Sequence, residues 1–172
     1  MALISAFTLI RTLALFHITL AFYLLTAPRM LADQNLVFLL GESMRPPEAT
    51  SFDRPTPATA LAAAVFVLLG LTDLVAVSMD EPAAVQYWSA QTPIRLIFFF
   101  ALTGYTYITG ADATLKSGKG ARVGDGLKNG LVFSWGFLEI MMWFWVFLTI
   151  RDQRREAGMR VLRARAATAG DL

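Results

Sequence analysis

The stretch over residues 131–150, LVFSWGFLEIMMWFWVFLTI, constrains the fold of this chain more than any other. It runs for twenty residues with one ionisable side chain, Glu139, near its middle. At about 1.5 Å per residue, a helix of that length reaches across roughly the 30 Å hydrocarbon core of a bilayer. RDQRRE follows at once, the abrupt change to charge that anchors a span at headgroup level. The first expectation is therefore a membrane-spanning helix.

Composition extends the argument to the whole chain. Its 172 residues are 56% hydrophobic and 16% charged, where an ordinary soluble domain carries about a quarter charged residues. The apolar residues are gathered into long runs, which a water-soluble core does not require. The fold class expected is all-α, an integral membrane four-helix bundle with a short interfacial helix after the first span. The formal net charge of +2 is too small to argue for a direct nucleic-acid partner. With no cysteine and one histidine, thiolate and His-rich metal centres are excluded, and no cofactor is implied.

Four spans are expected, at about 3–26, 58–79, 93–109 and 131–150, forming a single bundle over 1–150 with a basic tail over 151–172. Residues 1–27 are too long for a signal-peptide core and lack a basic start, so they read as an uncleaved first span. Pro28 stops that span. Within the connection 30–57, LADQNLVFLLGESM suits an interfacial or re-entrant helix, and RPPEATSFDRPTP an extended loop. Thr56-Pro57 opens the second span, whose ATALAAAV start lets a neighbouring backbone approach closely. Tyr87 and Trp88 are expected at the interface, and Pro93 at the start of a short third span. The Gly/Lys-rich connection 110–129 reads as flexible, and Gly126, Gly130 and Ser134 form a ladder at spacing four for helix packing. The first part of the tail extends the last helix, and its end, AATAGDL, is expected to be disordered. Four spans place both termini on one side, and the cluster Arg151, Arg154, Arg155 tips a near tie toward the cytosol.

Five ionisable side chains fall within these spans: Arg11, His17, Asp73, Arg95 and Glu139. A charge at the bilayer centre costs at least about 2.5 kcal/mol, so each should turn inward and find a partner. Measured by helix rise from the side that holds the termini, Arg95 lies roughly 3 Å deep, Asp73 about 8 Å, Arg11 about 12 Å, Glu139 about 16 Å and His17 about 21 Å. Asp73 and Arg95 flank one short connection and are natural partners. Glu139 lies between Arg11 and His17 and could pair with either. The cluster suits buried ion pairs that fix helix association; a proton or ion relay, or a pocket for a lipid headgroup, is the functional alternative. Trp135, Trp143, Trp145, Phe98, Phe99 and Phe100 read as lipid-facing rather than as lining an acyl or sterol groove. GKGARVGDG lacks the GK[ST] ending of a phosphate loop, and no Ser/His/Asp set or H-E-x-x-H appears, so no enzymatic activity is expected.

Three segments carry a family resemblance: GLTDL (70–74), TPIRLIFFFALTGYTY (92–107) and FLEIMMWFWVFLTIRDQRRE (137–156). A Gly-x-x-Asp-Leu in span two, a Pro-x-Arg-Leu opening span three, and an intramembrane Glu before an Arg/Glu-rich exit resemble the increased-loss-of-mitochondrial-DNA protein family, small fungal four-span membrane proteins. The resemblance covers the second to fourth spans. It implies an endoplasmic reticulum membrane protein linked to mitochondrial genome maintenance and, more loosely, to fatty-acid and potassium homeostasis. It assigns Asp73, Arg95 and Glu139 no role beyond family-like polar residues in the membrane.

Two functions follow as expectations. One is a non-enzymatic accessory or scaffold subunit of an endoplasmic reticulum membrane assembly, with membrane lipids and a larger membrane protein as partners. The other is a small transporter or ion-conducting oligomer built around Glu139 and Asp73.

Overall fold

The computed structural model describes residues 4–35, 37, 39–40, 52–113 and 124–170, and every regular element among them is helical. Helix α1 is Ala6–Thr26, α2 is Pro28–Ala32, α3 is Pro57–Val77, α4 is Glu81–Ala113 and α5 is Gly130–Gly170, with a 3₁₀ turn at Asp125–Leu127 before α5. Three helical stretches, Ala6–Thr26, Pro57–Val77 and Gly130–Glu156, are long and apolar enough to cross a membrane. The architecture is all-α, with helices suited to a membrane bundle.

Local chemistry sets the helix starts. Ser5 caps α1, its side chain accepting from the Thr8 amide at 3.2 Å. Thr56 and Thr59 form a reciprocal capping box at α3, with Pro57 in the first turn. The Asn129 side chain accepts from the Val132 amide at 3.0 Å, which starts α5. Each cap satisfies a donor that the first helical turn leaves without an intrahelical partner.

Several boundaries differ from the sequence reading. The third span does not begin at Pro93: α4 is continuous for 33 residues from Glu81, with Pro93 inside it. Proline removes one ladder donor. The Thr92 hydroxyl beside it donates to the Trp88 carbonyl at 2.6 Å, whereas the carbonyl that proline deprives of its helical donor is that of Ser89. At roughly 50 Å by helix rise, α4 is long enough to cross a bilayer but is not among the three stretches that are also apolar enough. The tail is helical to Gly170 rather than disordered over its last residues, as its alanine and arginine content favours; Asp171 and Leu172 lie outside the described residues. Pro28 both ends α1 and opens α2, which turns Pro28 and Leu31 inward. Of the expected interfacial helix, positions 35, 37, 39 and 40 are helical. Positions 36, 38 and 41–44 of it, most of the proline-rich loop and the centre of the Gly/Lys-rich connection lie outside the described residues.

The helices associate as two close pairs, α1 with α3 and α4 with α5, joined mainly where α1 meets α5. Small residues allow the pairing. Ala14, Ala21 and Ala63 are fully buried, and a Cβ on Gly70 would sit 2.7 Å from the Ala14 carbonyl oxygen of α1. In the second pair, a Cβ on Gly136 would sit against the Thr103 hydroxyl of α4. The packing position on α5 is therefore Gly136. Gly126 precedes that helix, is exposed, and has open space where a side chain would be. Gly130 and Ser134 are buried near the start of α5. The apolar core forms two clusters, one around Leu9, Leu13, Trp88, Trp143 and Val146 and the other around Ala21, Leu24, Leu31 and Ala63. His17 lies between them along α1.

Because the neighbour of Gly70 is backbone, it cannot swing aside. Gly70→Ala is expected to lower the thermal midpoint of the detergent-solubilised protein, by an amount equivalent to about 1–3 kcal/mol of over-packing. Gly104→Ala, whose added methyl meets nothing within 4 Å, should leave it unchanged or raise it. Thermal melts of the two variants decide the point, and equal losses would disprove the close α1–α3 approach.

Candidate functional site

The polar centre is assembled around Glu139, fully buried on α5. One helical turn to either side, Trp135 and Trp143 project their indole N–H groups back onto its carboxylate. Trp135 Nε1 donates to Oε1 at 2.9 Å and Trp143 Nε1 to Oε2 at 2.8 Å. From α1, Nε2 of His17 lies 2.5 Å from Oε1, and both side chains are fully buried. Indole nitrogens only donate, so both carboxylate oxygens are occupied as acceptors. With the imidazole protonated, the His17 contact is an ion pair. Its other nitrogen, Nδ1, is buried and has no hydrogen-bond partner among the described residues. Phe66 of α3 packs on both rings, 5.6 Å from His17 and 5.2 Å from Trp135.

A second pair joins α3 to α4. Arg95 grips Asp73 with two parallel bonds, Nη1 to Oδ2 at 2.7 Å and Nη2 to Oδ1 at 2.6 Å. Asp73 is buried, and the Arg95 side chain is 12% exposed. This bidentate geometry is the strongest that a carboxylate and a guanidinium make. The guanidinium carbon also lies 4.5 Å from the Trp143 ring centroid and 5.3 Å from that of Trp88, and the two indoles stack at 5.5 Å.

Trp143 therefore links the two pairs. Its N–H edge binds Glu139 and its face receives the Arg95 cation, which is the division that an indole's polar handle and negative π face allow. The sequence Asp73, Arg95, Trp143, Glu139, His17 touches all four long helices. Arg11 is outside it, exposed on α1 with no ion pair among the described residues. Five residues into α1, it stands only about 8 Å from the helix start, close enough for its stem to carry the charge outward.

The aromatic expectations need correction. Trp143 and Phe99 are buried, and Trp135 is committed to Glu139; Trp145, Phe98 and Phe100 are exposed. Trp88, expected at the interface, is fully buried, while Tyr87 is 40% exposed. The signal for the inward tryptophans was present as Trp-x-x-x-Glu-x-x-x-Trp over 135–143, since residues four apart share a helix face. No group of metal-ligating side chains occurs among the described residues.

Long apolar helices, tied together by buried acid–base pairs, define a helical membrane protein. A family model described as increased loss of mitochondrial DNA protein 1 matches residues 4–160, and the chain belongs to that family. The match takes in the first span as well as the three segments that carry the resemblance. The chain is 27% identical over 127 residues to Protein ilm1 of Schizosaccharomyces pombe, covering 74% of this chain and 69% of the relative. It is 25% identical over 146 residues to Protein ILM1 of Saccharomyces cerevisiae, covering 85% of this chain and 64% of the relative, so it spans less than two thirds of that protein. No solved structure matches the chain.

Arg95→Ala would leave Asp73 as an unpaired buried carboxylate, costing about 3–5 kcal/mol. Removing both charges, in Asp73→Ala with Arg95→Ala, should cost less than the sum of the two single changes. A double-mutant cycle on thermal unfolding measures the coupling, and strict additivity would show that the pair is energetically idle.

Proposed function

We propose that this chain is a non-enzymatic, multi-pass accessory or scaffold subunit of an endoplasmic reticulum membrane assembly, with its termini in the cytosol. One observation carries the reading: the buried carboxylates are already committed. Glu139 meets two indole donors and the His17 ring, and Asp73 a bidentate arginine. A carboxylate that moves protons or ions must exchange partners, whereas one that ties helices together keeps them. The exposed apolar side chains of α3 and α4, among them Leu68, Val75, Ile97 and Ile108, suit contact with lipid or a larger membrane protein.

The family description and the names of the yeast relatives supply the biological setting. Loss of such a subunit would impair mitochondrial DNA maintenance, with lipid homeostasis in the endoplasmic reticulum as the intermediate. One feature favours the alternative, a proton- or ion-conducting oligomer using Glu139 and Asp73: His17 Nδ1 is a buried ring nitrogen without a hydrogen-bond partner among the described residues.

Purification in gentle detergent is expected to co-isolate a stoichiometric membrane partner, and recovery of a lone monomer would refute the subunit reading. Glu139→Gln turns an amide N–H₂ toward indole donors, so the variant should accumulate poorly and lose the partner. A well-assembled Glu139→Gln protein that abolishes a pH or potassium flux, measured in vesicles reconstituted with the wild-type chain, would establish the conducting function instead.

A further inference from the structure

At the level where α5 leaves its apolar stretch, a cavity of about 460 Å³ opens between α4 and α5. That volume lies within the roughly 300–1,000 Å³ of ordinary ligand pockets. Its walls divide by chemistry: Trp88, Phe147 and Ile150 are apolar, and Arg151, Arg154 and Arg155 supply three cations. Trp88 and Ile150 belong to the apolar core, and Phe147 packs against it. The arginines are exposed. Spaced three and four apart, they share one face of α5, where like charges repel. Among the described residues none of the three has a carboxylate within ion-pair distance.

We propose that this cavity is a binding site for an anionic glycerophospholipid. The phosphate would sit among Arg151, Arg154 and Arg155, whose planar guanidinium forks suit phosphate oxygens. An acyl chain would run inward along Phe147 and Ile150. The position matches the occupant: the arginines follow directly on the apolar segment ending at Ile150, where a lipid phosphate stands when that segment spans a bilayer. A soluble anion would satisfy the cations but leave the apolar wall unused. The site is independent of whether the chain is an accessory subunit, since it needs only α4 and α5.

The test is native mass spectrometry of the full-length, detergent-solubilised protein titrated with phosphatidic acid, phosphatidylcholine or inorganic phosphate. Phosphatidic acid should bind with saturable one-site stoichiometry, and the other two much more weakly. Arg154→Ala with Arg155→Ala should weaken it roughly thirtyfold. Ser89→Phe, which fills the cavity from α4 without altering charge, should abolish the saturable site. The matched tail variant Arg160→Ala with Arg163→Ala should leave affinity within about twofold of wild type. Three results would each overturn the proposal: equal retention of phosphatidylcholine, phosphate binding as tightly as the lipid, or a tail variant as weak as the Arg154/Arg155 variant. Unaltered binding in Ser89→Phe would likewise place the lipid elsewhere.

Discussion

Everything in this bundle depends on how ionised groups are matched where water cannot reach them. An isolated charge in hydrocarbon is expensive, and lipid gives helices little hydrophobic reason to prefer one another. Partner geometry then decides which helices meet. Trp143 is the central piece, because one side chain serves both pairs: its edge holds Glu139 at 2.8 Å and its face lies 4.5 Å from the Arg95 guanidinium carbon. Removing it would strip a donor from a buried carboxylate and a π surface from a buried cation, two losses from one substitution. A phenylalanine there would keep the face and lose the edge, which makes the two contributions separable.

Small residues act in a complementary way. The α1–α3 pair approaches closely because Gly70 has no Cβ to meet the Ala14 carbonyl, and that approach brings Phe66 onto the His17 ring. The α4–α5 pair uses Gly136 against Thr103 in the same manner. Close pairing within each half leaves the polar sequence to specify how the halves dock. Apolar contact alone would permit several registers there; a histidine that must reach Glu139 past Leu13 and Ala21 permits few.

Much of this was legible before any coordinates, and the reasons differ by residue. Asp73 and Arg95 declared themselves because two opposite charges flank one short connection, so depth and sequence proximity point to the same pairing. Glu139 stood out by being alone in twenty apolar residues, but depth could not choose between Arg11 and His17. The choice depends on helix rotation, which rise per residue does not encode. Trp135, Trp143 and Trp88 were misplaced because a tryptophan in a span counts as apolar bulk until its N–H is given a partner. The expected packing ladder loses only Gly126: spacing four defines a face only inside a helix, and Gly126 lies before α5 begins, while Gly130 and Ser134 are buried at its start. Pro93 misled because proline opens helices more often than it is carried through them.

The same matching principle separates the two ends of α5. Inside the membrane-length segment, Glu139 is held by two indoles of its own helix and by His17 of α1, and the polar sequence closes on itself. Beyond Ile150 the arginines have no such closure: three cations face a cavity whose other wall is core. A protein surface in water would leave those charges to counterions at little cost. At a bilayer surface the nearest counterion is a lipid phosphate, and it arrives attached to an acyl chain. The apolar wall of Trp88, Phe147 and Ile150 therefore converts a general attraction for anions into one for an anchored amphiphile. The resulting asymmetry, a self-satisfied centre and an open cationic rim on one helix, lets the chain hold its own shape while engaging the membrane around it.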